Sequence, residues 1–232
     1  MTKFPNPSFV VKVGGGRGFV IEHRICVTNP DFESVQSPER FYSVTRRLVV
    51  TAAHCLPNLP LAHAYPYPEE RFYQDLLGSL DTTKSNVCSE CLFADPVADI
   101  AVLGCPDEHG LVEEADAYHA LTDDVPALTI DKARSGRGCV LALDGVRWIP
   151  TTIRLDSDLY GTVLWIDPPE AGMSGSPILN DAGRAVGIVA IGLKKVTTSG
   201  ERNINKEAGP QPILMRDLPA RIVRARRRLS LA

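Results

Sequence analysis

The 232-residue chain lacks any apolar run long enough to span a membrane, and its first residues lack the uninterrupted apolar core of a secretion signal. We therefore expect a cytoplasmic location without membrane association. The chain also lacks a charge excess, because 25 basic and 28 acidic residues leave a net charge of -3. No overall field then attracts it to nucleic acid. Low-complexity tracts and internal repeats are absent, which favours a compact enzyme or binding domain over a disordered protein.

Cysteine is sparse, and in a reducing cytoplasm we expect free thiols. The six cysteines are Cys26, Cys55, Cys88, Cys91, Cys105 and Cys139. Cys88 and Cys91 have the spacing of half a zinc knuckle, but neither a second C-x-x-C nor an H-x-x-x-H follows. The sequence therefore predicts neither a metal site nor another cofactor.

The sequence does contain many short apolar runs separated by glycine, proline, asparagine and aspartate. This pattern is typical of β-strands joined by turns. The clearest runs are residues 9–13, 18–21, 47–51, 99–103, 139–143, 162–166 and 185–191. They predict an all-β fold class.

Two segments favour helices instead. One is residues 69–77, and the other is a C-terminal helix over residues 216–232, in which Leu218, Ile222 and Leu229 share one face. The second helix is rich in arginine. Because no aromatic residues alternate with the arginines, we interpret its basic face as solvated rather than as a nucleic-acid site.

A candidate general base and its acidic partner each border an apolar run. His54 follows the run 49–53, although a lone histidine is weak evidence. Asp99 opens the run 100–103, and a carboxylate beside a buried strand needs a partner such as a histidine Nδ1–H. Asp95 is an alternative acid, but it precedes a proline and is typical of a turn.

The candidate nucleophile is Ser174, in Gly172-Met173-Ser174-Gly175-Ser176-Pro177. The flanking glycines allow a sharp turn that exposes Oγ. The amides of Gly172 and Ser174 can point into one oxyanion hole. Ser176 is a rival nucleophile, but its position before proline favours Ser174.

Together, Thr51-Ala52-Ala53-His54-Cys55, the run from Asp99 to Leu103 and the Ser174 loop resemble the three active-site signatures of trypsin/chymotrypsin-type serine proteases, in that family's order. The resemblance implies two six-stranded antiparallel β-barrels, over residues 8–115 with His54 and Asp99 and over residues 116–215 with Ser174. The acidic stretch 107–124 is the expected crossover between them.

The resemblance implies a serine endopeptidase. His54 would take the Ser174 proton, Asp99 would orient the imidazole, and water would release an acyl-enzyme. The alternative is a protease-fold homologue that acts as a binding or scaffold module. An α/β-hydrolase is excluded because that family orders its residues Ser, acid, His.

The chain departs from the digestive members of the family. Met173 stands where they carry an aspartate, and no Ile-Val-Gly-Gly activation sequence is present, so we expect no zymogen switch. The Gly-Ser-Pro ending and the glycine-rich run 14–20 resemble the compact bacterial branch, which includes glutamyl endopeptidases and HtrA-like proteases.

The resemblance also indicates where a protein or peptide substrate would bind. An apolar pocket would be lined by Pro168, Ala190 and Ile191, and residues 190–192, ending at Gly192, would pair with the substrate backbone. Without a zymogen device, control by a regulatory partner, by narrow specificity or by substrate folding all stay open. A disulfide between Cys26 and Cys55 is also left open.

Overall fold

The computed structural model describes residues 9–28, 41–59, 71–81, 85–95, 99–106, 111–158, 161–165, 172–190, 192–194 and 205–207. Within these residues no helix is both long and apolar enough to cross a membrane.

The first half of the chain forms a closed antiparallel barrel. Its six strands are β1 (Val10–Val13), β2 (Gly16–Thr28), β3 (Phe41–Thr51), β4 (Phe72–Ser79), β5 (Val87–Asp95) and β6 (Ile100–Gly104). They are ordered β1-β2-β3-β6-β5-β4, and pairing of β1 with β4 closes the ring. All five residues of β6 are buried, as expected of a strand covered on both faces. The six-stranded barrel predicted for this half is confirmed.

The predicted helix at residues 69–77 is wrong in the described part, because residues 72–79 form β4. The apolar residues here do not alternate, since Leu76 and Leu77 are adjacent and both buried. A register shift between Tyr73 and Leu77, with Asp75 at φ +51°, explains the pattern. A bulge places consecutive residues on one face, and this imitates helical spacing.

One α-helix, α1 (Val112–Asp123), lies in the acidic stretch that was predicted as the crossover. It contacts β5 and β3. The fully buried Tyr118 anchors it by donating its hydroxyl to the carbonyl oxygens of Arg47, at 3.1 Å, and Leu103, at 3.3 Å. The boundary predicted between residues 115 and 116 falls inside this helix.

The second half contains a five-stranded antiparallel sheet of order β11-β10-β7-β8-β9. Its strands are β7 (Gly136–Leu141), β8 (Trp148–Asp158), β9 (Gly161–Trp165), β10 (Pro177–Asn180) and β11 (Ala185–Ile188). A separate two-stranded ribbon pairs β12 (Gly192–Lys194) with β13 (Asn205–Glu207). The described sheet is not closed, so a second six-stranded barrel stays a prediction. The C-terminal helix at 216–232 lies outside the described residues.

The two halves pack against each other through apolar side chains. Leu141, Leu179 and Ile188 of the second sheet belong to the same buried cluster as the interior of the first barrel. A smaller cluster beneath the Ser174 loop contains Met173 and Ile178. The loop that carries the candidate nucleophile therefore rests on a packed core.

Candidate active site

His54 and Asp99 are in direct contact. A single 3₁₀ turn, Ala53–Cys55, follows β3 and carries His54, while Asp99 immediately precedes β6. The His54 Nδ1 donates to Asp99 Oδ2 at 2.7 Å, and the His54 backbone N–H donates to Asp99 Oδ1 at 3.0 Å. Both carboxylate oxygens are thus used to orient one residue, and His54 Nε2 is left as the ring nitrogen available for chemistry.

The backbone at Asp99 is held in an unusual conformation. Its φ of +52° lies in the left-handed region, which few residues other than glycine adopt. The Ala53 N–H donates to the Asp99 carbonyl oxygen at 3.2 Å, so the 3₁₀ turn fixes this peptide. Strained backbone held by its surroundings is common at functional sites. Asp95, the alternative acid, ends β5, whereas the carboxylate that accepts the hydrogen bonds of His54 belongs to Asp99.

The environment favours the charged form of His54. The hydrogen bond that His54 donates to the Asp99 carboxylate raises the pKa of His54 well above its ordinary value of 6.5, and the Cys55 side chain adds to the increase, while burial opposes it. The imidazolium that forms during proton transfer from a nucleophile would therefore be stabilised by Asp99.

The Ser174 loop is fixed by its own backbone hydrogen bonds. The Ser176 N–H donates to Met173 O at 2.9 Å, the Gly175 N–H donates to Val189 O at 2.7 Å, and the Val189 N–H donates to Ser176 O at 2.9 Å. Met173 is fully buried and anchors the turn in the core. Since a thioether carries no charge, this side chain cannot form an ion pair with an amino terminus released by an activating cleavage.

The loop separates the two candidate nucleophiles by exposure. Ser176 is completely buried, whereas Ser174 is half-buried and reaches the surface. Gly172 adopts a φ of +91°. Among the described residues, the amides of Gly172 and Ser174 have no hydrogen-bond acceptor, which is the state required of oxyanion donors.

The histidine segment and the Ser174 loop meet at the turn between β1 and β2. A Cβ added to Gly16 would lie 2.7 Å from Ser174 O and would also overlap Cys55 Sγ, so both segments touch this glycine. In the described part of the chain no hydrogen bond joins Ser174 Oγ to the His54 ring. Catalytic hydrogen bonds of this kind are often long before substrate binds.

The predicted substrate-binding residues are described only in part. Ala190 is buried next to Val189, the partner of the Ser174 loop, and Gly192 begins β12. Pro168 and Ile191 lie outside the described residues, so the predicted pocket is not tested.

Cys55 is a free thiol. The side chain of Cys26 lies outside the described residues, so the Cys26–Cys55 disulfide that the sequence left open is not tested.

No cluster of metal-ligating side chains occurs among the described residues. Cys88 and Cys91 are both buried on β5, and Cys88 Sγ donates to Glu114 Oε1 at 3.5 Å. The C-x-x-C motif is therefore part of a strand and of its contact with α1.

Two residues near the site were missed by the sequence analysis. Arg17 is buried between the Ser174 loop and β7, and Thr51 donates its hydroxyl to Arg17 O at 2.6 Å. An arginine between two glycines in an apolar run was the available signal, because such a charge must be either solvated or partnered inside the protein.

Comparison with known proteins gives matches at the level of structure only. No family model and no curated protein matches the chain. The HtrA-type protease AlgW, solved with a decapeptide, matches at 14% identity and a TM-score of 0.47 over 94% of this chain. The chain spans 65% of AlgW, which is less than two thirds of it. An inactive form of the Rv3671c protease matches at 19% identity and a TM-score of 0.41, over 81% of this chain and 79% of the other.

Proposed function

We propose that the chain is a serine endopeptidase of the trypsin/chymotrypsin type, with His54, Asp99 and Ser174 as its catalytic triad. The observation that carries the proposal is the two-point contact between Asp99 and His54, one oxygen on the ring and one on the backbone. A carboxylate that fixes both the tautomer and the position of an imidazole is the arrangement a general base needs.

In the proposed reaction, His54 Nε2 accepts the proton of Ser174 Oγ as this oxygen attacks the substrate carbonyl carbon. The amides of Gly172 and Ser174 stabilise the oxyanion of the tetrahedral intermediate. His54 then delivers the proton to the leaving amine, which departs as the C–N bond breaks. Water, activated by the same histidine, hydrolyses the acyl-enzyme and restores Ser174.

The proposed substrate is a protein or peptide with an apolar side chain before the cleaved bond. The specificity rests on the apolar Ala190, which directly follows Val189, the residue that forms hydrogen bonds with the Ser174 loop. We place the activity in the cytoplasm. Free thiols at Cys55, Cys88, Cys91, Cys105 and Cys139 agree with a reducing compartment.

The test is cleavage of a peptide library, read by mass spectrometry. Wild-type protein is expected to cut after apolar residues, and Ser174→Ala is expected to lose at least about 10³-fold in rate. Ser176→Ala examines the rival nucleophile and is expected to keep cleaving, because Ser176 is completely buried. Ser135→Ala, at an exposed serine, is the matched control and is expected to cleave like the wild type.

Two results would overturn parts of this proposal. Cleavage that survives Ser174→Ala but not Ser176→Ala would move the nucleophile. A folded wild-type protein that cuts nothing in the library would favour the alternative, a protease-fold module that binds or scaffolds.

A further inference from the structure

Arg17 is a buried cation that joins the two halves of the molecule. It lies on β2, and only 5% of its surface is exposed. Its guanidinium donates to three consecutive carbonyl oxygens that begin with the last residue of β7, at 3.3 Å to Leu141, 2.8 Å to Ala142 and 2.6 Å to Leu143. A weaker contact of 3.5 Å reaches Ser176 Oγ.

These carbonyl groups take the place of a carboxylate partner. Within the described residues Arg17 forms no salt bridge, and burial lowers the pKa of Arg17 while the charge of Asp144 opposes this change. Placing a guanidinium inside a protein is costly unless its N–H groups are satisfied. The fork of arginine can reach several carbonyls at once, which an ammonium cannot match.

The segment that Arg17 holds lies against the proposed oxyanion hole. The Leu143 side chain covers Gly172, where an added Cβ would lie 3.0 Å from Leu143 Cδ1. The turn after Leu143 is rigid, because Asp144 accepts hydrogen bonds from the amides of Val146 and Arg147. Fixing the start of this turn therefore fixes the wall beside Gly172.

The backbone of Arg17 contacts the other side of the same loop. Its N–H donates to Ser174 O at 2.7 Å, and its carbonyl oxygen accepts a hydrogen bond from the Thr51 hydroxyl at 2.6 Å. Thr51 is the last residue of β3 and lies shortly before His54 in the sequence. The backbone thus positions the nucleophile relative to the histidine segment, and the side chain positions the turn beside Gly172.

We propose that the Arg17 side chain is a positioning residue for the oxyanion hole, acting through the carbonyls of Leu141, Ala142 and Leu143 on the wall beside Gly172. This inference rests on the proposed function for its effect on rate. In this proposal Arg17 does not contact the substrate.

The experiment compares Arg17→Met, which keeps the length but removes the fork, with Arg17→Lys, which keeps the charge. Arg184→Met is the matched control, because Arg184 is exposed and pairs only loosely with Asp131 at 3.7 Å. Peptide hydrolysis is measured per folded molecule, together with amide hydrogen exchange over residues 141–146 and 172–176. If Arg17→Met does not fold, Arg17→Lys carries the comparison.

Loss of positioning predicts that kcat falls by about 10- to 100-fold in Arg17→Met while KM changes by less than about 2-fold. Exchange should accelerate in both segments, and Arg17→Lys should lie between wild type and Arg17→Met. A lower melting temperature with unchanged kcat and unchanged exchange in these segments would overturn the proposal, since it would leave Arg17 a structural role alone. An inactive wild type would instead contradict the proposed function, and the exchange data would still decide whether Arg17 positions the loop.

Discussion

His54 and Asp99 are separated by 45 positions in the sequence, and the barrel brings them together. Strands β3 and β6 are antiparallel neighbours, with Thr51 opposite Ala101. The end of one strand and the beginning of the other therefore lie at the same rim, and each carries one of the two residues. This pair was predicted from residue types and order, and antiparallel pairing gives the physical reason for the contact.

At the residue scale, the raised pKa of His54 predicts the pH dependence of the reaction. Only the neutral ring accepts a proton, so the acidic limb of kcat/KM should lie above 6.5 in wild type. In Asp99→Asn the amide no longer favours the imidazolium, so the limb should move down toward 6.5 and the rate should fall by about 10⁴-fold. The measurement is kcat/KM against pH.

Asp95→Asn is the control for this prediction, because Asp95 was the alternative acid. It should leave both the acidic limb of kcat/KM and the rate unchanged.

The contact between His54 and Asp99 should also make the stability of the protein depend on pH. The contribution of the pair is complete below pH 6.5 and is lost as the pH rises through the raised pKa of His54. A limb that does not move in Asp99→Asn would contradict the account.

At the scale of elements, regular strands were predictable and irregular ones were not. The runs that became β1, β2, β3 and β6 are continuous or alternating, so local pattern was sufficient. The bulge at Asp75 gave β4 an apolar spacing that resembles a helix. Only the pairing with β1 and β5 shows that Leu76 and Leu77 can both face the interior. Helix α1 was not predicted, although acidic residues such as Glu113 and Glu114 in a first turn are a usual sign of a helix start. The burial of Tyr118, which docks the helix, becomes visible only in the folded structure.

The Ser174 loop provides a second prediction, at Gly175. Its φ is +81°, and an added Cβ would collide with the Arg17 carbonyl oxygen and lie 2.7 Å from Thr51 Oγ1. Gly175→Ala should therefore destabilise the protein by more than about 2 kcal/mol, because the left-handed backbone penalty and a backbone clash add. Urea unfolding measures this change.

Gly183→Ala is the matched control, since Gly183 has φ +74° but nothing within 4 Å of an added Cβ. Only the conformational penalty applies there, so Gly183→Ala should destabilise the protein by about 1 kcal/mol. Equal losses of stability in the two variants would show that the approach of Gly175 to Arg17 is not what demands glycine.

At the scale of the whole molecule, the candidate site is assembled from both halves. His54 and Asp99 come from the closed barrel, and Ser174 comes from the loop before β10 of the second sheet. Short motifs were enough to nominate these residues, because each motif is local in sequence. Arg17 was not predicted, since its partners lie more than one hundred positions away and become visible only when the halves pack.

The most direct measurement is intact-mass labelling with a fluorophosphonate, which phosphonylates a serine only when a base activates it and an oxyanion hole receives the new charge. We predict one label on wild type and on the exposed-serine control Ser135→Ala. No label is predicted on Ser174→Ala or on His54→Ala. A label retained by Ser174→Ala, or a folded wild type that takes none, would contradict the assignment of this site as a serine protease centre.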